Sequence, residues 1–371
     1  MKFLIIIYND PEWYPPTLNA ITVLSKHADA ITILGVRNKS SEWQYPLNVT
    51  SRYILSQKKL KKIIHFMKAL NQLLRNDYDW VICYDDLALL FFYFITFFKK
   101  KKPKLWYHNH DVLEQKKVKK YSLNWIVLKL QSRIFKHINL FTLPSDARKK
   151  YFPFNCFKGN YYLLPNYAEK TFVNSFKTKT DPQEKKDSSK ITLIYQGVIN
   201  KNHGFEEIIP LLNKTINSKT IHLQLIGPIS SSYKKYLLGL AEINNVKKQL
   251  EIIPAISYKK LQKYTRDAYI GIAIHNVKNI QYTTGATASN KIYEYLSFGL
   301  PILLANTIEY KKLLAKYPWA FFADINSNSI YKQLKNIDAN YEVISETASN
   351  DFESTFNYEI AFTNILVKEI L

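Results

Sequence analysis

One short segment, residues 282–309, constrains the fold more than any other part of the chain. It contains a short helical pattern that Gly299 and Pro301 end, and then the apolar run Ile302-Leu303-Leu304-Ala305. A glycine and a proline just past a helix are typical stop signals. A continuous apolar run of this length is typical of a buried parallel strand. The segment therefore predicts a helix N-terminus at the edge of a sheet, where α/β proteins bind phosphate groups.

Four side chains at the start of this helix suggest what the edge binds. Ser289 or Asn290 can cap the helix. Lys291 lies in the first turn, and Glu294 lies about one turn further along on the same side. A nucleotide-sugar site needs a cation for the diphosphate and a carboxylate for the ribose hydroxyls, and this pair supplies both. The alternative is an exposed lysine–glutamate pair, which stabilises an ordinary helix by only ~0.2–0.5 kcal/mol.

Strand and helix patterns alternate along the chain and restart once. Buried-strand patterns of the first half lie at Phe3–Tyr8, Ala30–Gly35, Trp80–Tyr84, Leu105–Tyr107 and Leu140–Leu143. Those of the second half lie at Ile191–Tyr195, His222–Ile226, Leu250–Ile253, Tyr269–Ile274 and Ile302–Ala305. The alternation predicts α/β domains with doubly wound parallel sheets, and 371 residues suffice for two of them. We place the domains at residues 1–168 and 191–350, with a polar linker at 169–190 and a final helical segment at 351–371.

One motif in the segment 282–309 resembles the donor-site helix of the GT-B glycosyltransferases of family 4 (glycosyl transferases group 1). It reads Asn290-Lys291-Ile292-Tyr293-Glu294-Tyr295, followed by Gly299-Leu300-Pro301. The resemblance implies two Rossmann-like domains that face a central cleft, with the C-terminal helix crossing back to the first domain. It implies a retaining, hexosyltransferase-type enzyme that uses a nucleotide-sugar donor. It also implies that no obligatory metal or other cofactor is needed. The expected acceptor is a glycan or lipid-linked precursor of a cell-surface polysaccharide.

A second group of polar residues, Tyr107-His108-Asn109-His110-Asp111, lies at the carboxyl end of a predicted strand, where α/β sheets place their sites. His108 and His110 point to the same side of a strand, but no further ligands cluster near them, so a metal site is not expected. The resemblance implies that His110 hydrogen-bonds the transferred sugar, with Asp111 beside it. The alternative is that His110 has only a structural role, with its hydrogen bonds satisfied by neighbouring residues at the end of the strand. The Asp77-Tyr78-Asp79 motif precedes its strand, which is the wrong end for a metal site.

The loop after the first strand of the second domain reads Gln196-Gly197-Val198-Ile199-Asn200-Lys201-Asn202-His203. Gly197 lets the backbone approach a ligand closely. The resemblance implies two cations in this loop that neutralise the donor diphosphate, yet Val198 and His203 occupy their places. We expect Lys201 and Lys291 to supply the charge instead.

The family often has a first glutamate eight positions before the one matched by Glu294, and here that position holds Ala286. We interpret this as a feature of a subgroup rather than as inactivation. The polar loop Gln281–Ser289 is then expected to contact the donor sugar.

The formal net charge of +22 is concentrated in the first half: residues 1–168 contain 27 Lys+Arg and 11 Asp+Glu, and residues 169–371 contain 25 and 19. Such asymmetry suggests an anionic partner. The amphipathic basic helix Gln57–Asn76, and the Lys99–Lys104 run beside the apolar helix Leu87–Phe98, favour an anionic membrane surface. An AT-rich genome is the alternative source of the lysines. Two cysteines, Cys83 and Cys156, suit a reducing cytoplasm. We expect a cytoplasmic protein, peripheral on the inner face of a bacterial membrane.

Three other functions remain open at the level of sequence. A GT-B-like sugar-nucleotide 2-epimerase has the same two-domain layout but needs an acid–base pair of carboxylates. A non-catalytic, glycosyltransferase-like partner subunit fits the missing cations. Nucleic-acid binding fits the basic runs, but no recognised module is present, so no nucleic-acid partner is expected.

Overall fold

The protein is described by a computed structural model that covers residues 1–37, 43–55, 58–170, 187–276 and 280–371. The chain forms two compact units. The first unit consists of Met1–Asn166 and Tyr358–Leu371, and the second of Tyr167–Asn357.

The first unit is built on a parallel sheet of seven strands. They are β1 (Lys2–Ile7), β2 (Ala30–Arg37), β3 (Val49–Leu55), β4 (Trp80–Tyr84), β5 (Lys104–His108), β6 (Leu140–Leu143) and β7 (Asn160–Leu163). Their order in the sheet is β3-β2-β1-β4-β5-β6-β7. The order reverses between β1 and β4, which is the topological switch point of a doubly wound sheet. The central strands are buried on both faces, and this explains their continuous apolar runs.

Strand β3 has no counterpart among the predicted strands. It lies at the edge of the sheet, and most of its side chains are exposed or only partly buried. An edge strand buries little on either face, so it carries neither the continuous apolar run nor the clean alternation that marks a strand in a sequence.

Helices cover both faces of this sheet: α1 (Pro15–Ser25), α2 (Lys59–Leu73), α3 (Asp85–Thr96) and α4 (Leu123–Phe135). Helix α2 is shorter than the predicted Gln57–Asn76, and Gln57 lies outside the described residues. The segment after Ser145 forms a 3₁₀ helix, Asp146–Tyr151, rather than an α-helix.

The C-terminal helix, Tyr358–Glu369, belongs to the first unit, as predicted. Its Phe362 ring stacks on Trp106 at 5.2 Å. Its Glu369 accepts hydrogen bonds from Tyr162 (2.6 Å) and Asn160 (2.9 Å) of β7.

The second unit contains a second, mostly parallel sheet. Its strands are β8 (Lys190–Gln196), β9 (Thr215–Ile216), β10 (Lys219–Ile226), β11 (Leu250–Ile253), β12 (Ile270–Ala273), β13 (Ile302–Ala305) and β14 (Ala320–Ala323). Their order is β11-β10-β8-β12-β13-β14, with the short β9 antiparallel to β10. The two sheets confirm the predicted α/β class with two Rossmann-like domains.

The helices of the second unit pack on both faces of its sheet and enclose two apolar clusters. They are α5 (Phe205–Ile208), α6 (Ser231–Ile243), α7 (Tyr258–Asp267), α8 (Ile280–Thr283), α9 (Gly285–Ala288), α10 (Asn290–Ser297), α11 (Ile308–Leu314), α12 (Ser327–Ala339) and α13 (Tyr341–Ser354). Helix α5 continues beyond Ile208 only as a 3₁₀ helix, Ile209–Asn213. Pro210 has no backbone N–H to donate to an α-helix.

The limits of the second unit differ from the boundaries placed by sequence. Tyr167 and Ala168 already belong to it, and so do residues 351–357 around the end of α13. A backbone bridge between Ala168 and Asn357 joins its two ends. Most of the predicted linker, residues 171–186, lies outside the described residues. Among the helices that the structure describes, none has the length and apolar content to cross a bilayer.

Candidate functional site

Helix α10 begins at the carboxyl edge of the second sheet. Ser289 occupies the N-cap position, but its side chain makes no capping hydrogen bond. The Oδ1 atom of Asn290 is buried and has no hydrogen-bond partner within the described residues. At the other end, Gly299 has a φ of 67°, a left-handed conformation that favours glycine. The start and stop signals in the sequence therefore correspond to a real helix, and its N-terminus carries polar groups that are not used for capping.

Glu294 is buried in α10, with 4% of its surface exposed. One carboxylate oxygen accepts a hydrogen bond from the Tyr258 hydroxyl at 2.9 Å, and the other accepts one from the Gln196 amide. Gln196 is itself held by a hydrogen bond from Thr265 at 3.0 Å. Burial raises the pKa of Glu294 to about 7, although both hydrogen bonds and the charge of Lys291 oppose the shift. A carboxylate has about four acceptor positions, so Glu294 is rigidly held and can still accept hydrogen bonds from a ligand.

Lys291 is a cation without an ion-pair partner among the described residues. Its ammonium lies over the Tyr195 ring, 4.0 Å from the centroid. It also lies beside Gly197, where a Cβ atom would come within 3.3 Å of Nζ. Burial lowers the pKa of Lys291 to about 7, against the favourable charge of Glu294. An ammonium in this environment is stabilised by an anion, so the site favours an anionic ligand.

Gly197 and Gly227 bring the ends of β8 and β10 into contact. Their φ values are 132° and 147°, a range that L side chains rarely adopt. A Cβ atom on Gly227 would come within 2.0 Å of the Gly197 carbonyl oxygen. The close approach of the two strand ends therefore requires a glycine at position 227, and the expected approach of Gly197 to a ligand stays a prediction.

The other predicted cation, Lys201, is exposed in a 3₁₀ helix, Lys201–His203. It lines a pocket of about 530 Å³ together with Val198, Tyr233 and Tyr236. Val198 is 60% exposed. Lys291 is not one of the residues that line this pocket.

His203, at the position where a cation was expected, is buried and neutral. Its Nε2 is hydrogen-bonded to the hydroxyls of Tyr195 (3.0 Å) and Tyr282 (3.1 Å). Burial and the charge of Lys291 lower its pKa to about 3.

His275, which the sequence analysis did not select, lies just beyond the carboxyl end of β12. It is 7% exposed, and neither ring nitrogen has a hydrogen-bond partner within the described residues. Burial lowers its pKa to about 4, and the charge of Lys291 acts in the same direction. A histidine directly after a predicted parallel strand was the available signal.

His110 in the first unit is also buried, and it lies within a chain of hydrogen bonds between Thr17 and Thr142. Its Nδ1 is 3.2 Å from His108 Nε2, and its Nε2 is 3.3 Å from the Thr17 hydroxyl. His108 Nδ1 is 2.8 Å from the Thr142 hydroxyl. Burial lowers the pKa of His110 to about 4, although Asp111 raises it. The histidine is thus a neutral hydrogen-bonding group near pH 7.

Asp85 is a further residue that sequence reasoning missed. Its carboxylate accepts a hydrogen bond from the backbone N–H of His110 at 2.7 Å. Its φ is 65°, which is uncommon for a residue other than glycine. Burial raises the pKa of Asp85 to about 7. Asp85 holds the backbone of His110 in place, while the predicted partner Asp111 is exposed.

No metal cluster was expected at the His108–His110 pair. Among the described residues, no group of three or more His, Cys, Asp or Glu side chains is arranged to hold a metal ion. Asp79 accepts a hydrogen bond from the Lys2 backbone (2.7 Å), and Asp77 pairs with Lys101 (3.5 Å). Both aspartates precede β4, at the edge opposite to the histidines.

The structure is similar to HepE of Anabaena in complex with UDP and glucose. The TM-score is 0.72, with 12% sequence identity and 99% of each chain covered. WaaG, a glycosyltransferase involved in lipopolysaccharide biosynthesis, superposes with a TM-score of 0.62, 12% identity and coverage of 98% of this chain and 99% of WaaG. The chain has the GT-B fold. No protein-family model matches the sequence, and no curated protein does.

The GT-B fold includes proteins of another activity. The UDP-GlcNAc 2-epimerase from Neisseria meningitidis bound to UDP-GlcNAc superposes with a TM-score of 0.64, 14% identity and 99% of each chain covered. At such identities the likeness concerns the fold, so function has to be argued from the side chains.

Proposed function

We propose that the protein is a retaining glycosyltransferase, similar to family 4, that moves a sugar from a nucleotide-sugar donor to a glycan or lipid-linked acceptor. The observation that carries this proposal is the Lys291 ammonium, which has no ion-pair partner among the described residues, beside the buried Glu294 at the start of α10. The ammonium and the carboxylate lie one helical turn apart at the edge of the sheet. The ammonium suits the phosphates of a ribose diphosphate, and the carboxylate suits its ribose hydroxyls.

Lys291 binds the donor diphosphate in this proposal. As the bond from the sugar to the diphosphate breaks, negative charge grows on the leaving oxygen. A preorganised ammonium stabilises that charge more than it stabilises the ground state. The backbone N–H groups of Asn290 and Lys291 add the partial positive charge of a helix N-terminus, and Gly197 leaves room for the phosphates.

Glu294 binds the ribose hydroxyls, and its orientation is set by Tyr258 and Gln196. His110 acts from the first unit as a neutral hydrogen-bonding group for the transferred sugar, with Asp111 as the neighbouring polar group. The role of His110 in this proposal is that of a hydrogen-bonding group and not that of a nucleophile.

Nucleotide and acceptor are inferred from the similar proteins. HepE is described in complex with UDP and with UDP-glucose, so a uridine nucleotide is the first donor to test. WaaG is described as involved in lipopolysaccharide biosynthesis, which supports a bacterial cell-surface acceptor.

We also propose that the protein docks on the inner face of an anionic membrane from the cytoplasm. The end of α3 joins bulky apolar side chains to cations: Phe98 is 91% exposed, Phe97 is half exposed, and Lys100 and Lys102 are exposed beside them. The Lys99 ammonium donates a hydrogen bond to the Leu74 carbonyl (2.8 Å), which brings the ends of α2 and α3 to the same edge. Each basic side chain near an anionic bilayer contributes ~1 kcal/mol.

The experiment that tests the function measures binding and turnover separately. Isothermal titration with UDP, GDP, ADP and dTDP should identify one nucleotide that binds with micromolar affinity. The matching nucleotide sugars, incubated with membrane glycolipid extracts, should then give a glycosylated lipid and free nucleoside diphosphate. If no nucleotide binds, the proposal is wrong; nucleotide binding without transfer would support the non-catalytic partner subunit.

The epimerase is the second candidate, supported by the structural similarity and by Asp85, a buried carboxyl whose pKa is raised to about 7. Its neighbour Asp86 is held by hydrogen bonds from Tyr107 (2.9 Å) and Asn109 (3.3 Å). Incubation of UDP-GlcNAc without acceptor separates the two functions. An epimerase produces the C2 epimer detectable by proton NMR, whereas a transferase leaves the sugar configuration unchanged.

A further inference from the structure

His275 is a buried imidazole whose hydrogen-bonding capacity is left unused by the residues that the structure describes. Both Nδ1 and Nε2 are buried, and neither has a partner within the part of the chain that the structure describes. An unpaired buried polar group costs ~1–3 kcal/mol, and most such groups in proteins are hydrogen-bonded. A ring with two unpaired nitrogens is therefore a candidate binding group.

The groups that face His275 are aromatic or cationic. Tyr282 of α8 lies 4.6 Å away between ring centroids, and Tyr310 of α11 lies 5.4 Å away. The charge of Lys291 on α10 acts on His275, and His275 acts on His203. No acidic side chain is paired with His275 among the described residues. Cationic and cation-forming side chains thus converge beside the N-terminus of an eight-residue helix, α10.

We propose that His275 is a further ligand of the donor diphosphate and binds it as an imidazolium. This inference rests on the proposed function, because it adds a residue to the same donor site. His275 supplies a positive charge that the two positions of the expected cations do not provide. Val198 is an exposed apolar residue, and His203 is hydrogen-bonded by two tyrosines.

The charge state of the ring follows from its surroundings. In the free protein, burial and the neighbouring ammonium of Lys291 favour the neutral imidazole. A diphosphate within ~4–6 Å reverses that preference, because an opposite charge favours the ionised form. The ring then takes one proton from the solvent, and its new N–H donates a charge-assisted hydrogen bond to a phosphate oxygen.

The test is the number of protons taken up when UDP binds. Titration calorimetry in buffers of different ionisation enthalpy, at pH 7, measures this number for the wild type and for His275→Gln. Glutamine can donate a hydrogen bond but does not titrate. The wild type should take up about one proton more than the variant. Proton changes at Lys291, at Glu294 and on UDP itself occur in both proteins, so they cancel in the difference.

The same linkage predicts a pH-dependent affinity ratio. The UDP affinity of the wild type divided by that of His275→Gln should rise at least about tenfold as the pH falls from 8.5 to 6.5. His222→Gln is the matched control, because His222 is a partly buried histidine of the same unit that bonds to Thr220 (3.1 Å) on β10. It should behave as the wild type.

A measurement on the unaltered protein guards against misfolding of the variant. The ring signals of His275 in an NMR spectrum should shift to imidazolium values when UDP or inorganic pyrophosphate is added at pH 7. Equal proton uptake in wild type and His275→Gln, or an unshifted ring, overturns the inference while nucleotide binding still supports the donor site. Failure of pyrophosphate and of UDP, GDP, ADP and dTDP alike to bind overturns the inference and the proposed function together.

Discussion

Replacement of Glu294 by glutamine tests the proposed donor site most directly. The side chain keeps its size, and its environment can accommodate an amide: the new amide oxygen can accept from Gln196, and the new NH₂ group can donate to the Tyr258 hydroxyl. The fold should therefore persist. The ribose hydroxyls lose a charged acceptor, and a charge-assisted hydrogen bond is about twice as strong as a neutral one. We expect the nucleotide Kd to rise about 10- to 100-fold, or ~1.4–2.7 kcal/mol.

The structure also predicts how this loss depends on pH. Burial raises the pKa of Glu294 to about 7, so the wild-type carboxyl is mostly protonated at pH 6 and mostly ionised at pH 8. The Kd ratio between Glu294→Gln and wild type should be small at pH 6 and reach its full value at pH 8. The protonation of Glu294 also affects the free energy of unfolding. Because its pKa is raised in the folded protein, the wild type should lose stability relative to the variant as the pH rises from about 4.5 through about 7.

Titration calorimetry with the nucleotide that binds, at pH 6, 7 and 8, checks the affinities, and thermal unfolding over the same range checks the stability. Glu309→Gln is the matched control, because Glu309 is an exposed glutamate in the first turn of α11. Its variant should bind nucleotide as the wild type does. Unchanged affinity in a folded Glu294→Gln protein at pH 8 would refute the assignment of Glu294 to the ribose.

Other parts of the proposal give three further predictions. His110→Ala should lower kcat at least about 100-fold while the nucleotide Kd changes less than about twofold, because His110 lies in the other unit. Replacement of the exposed His27 by alanine is the control. An equal loss of nucleotide binding in His110→Ala would mean that His110 has a structural role. Sedimentation with vesicles should show that the protein binds anionic but not neutral lipid, and that binding fades at 1 M salt, where the Debye length is about 3 Å. The double variant Phe97→Ser/Phe98→Ser should bind anionic vesicles more weakly than the control Val343→Ser, which replaces an exposed valine. Protein that stays in the supernatant at low salt would contradict docking. Transfer activity should survive EDTA, since Lys291 supplies the charge that a metal would; activity lost in EDTA and restored by Mg²⁺ would contradict this assignment.

The sequence by itself determined the elements whose signals are local. The helix from Asn290 to Ser297 and the strand Ile302–Ala305 are marked by a Gly-x-Pro stop and a continuous apolar run, both of which act within a few residues. The central strands could also be predicted from the sequence, because a strand buried on both faces has an uninterrupted apolar run. The edge strand β3 could not be predicted, because it is largely exposed.

Only the tertiary structure decided the chemical state of the candidate site. Glu294 has Gln196 and Tyr258 as partners, which are 98 and 36 residues away in the chain. A sequence pattern does not specify contacts over such distances. Burial, which moves the pKa of both Lys291 and Glu294 to about 7, is likewise a property of the packed sheet and helices. The sequence of the loop after β8 showed where cations were missing. Only the packing around β12 and α10 showed that the charge of Lys291 acts on His275 and that, among the described residues, both ring nitrogens of His275 lack a hydrogen-bond partner.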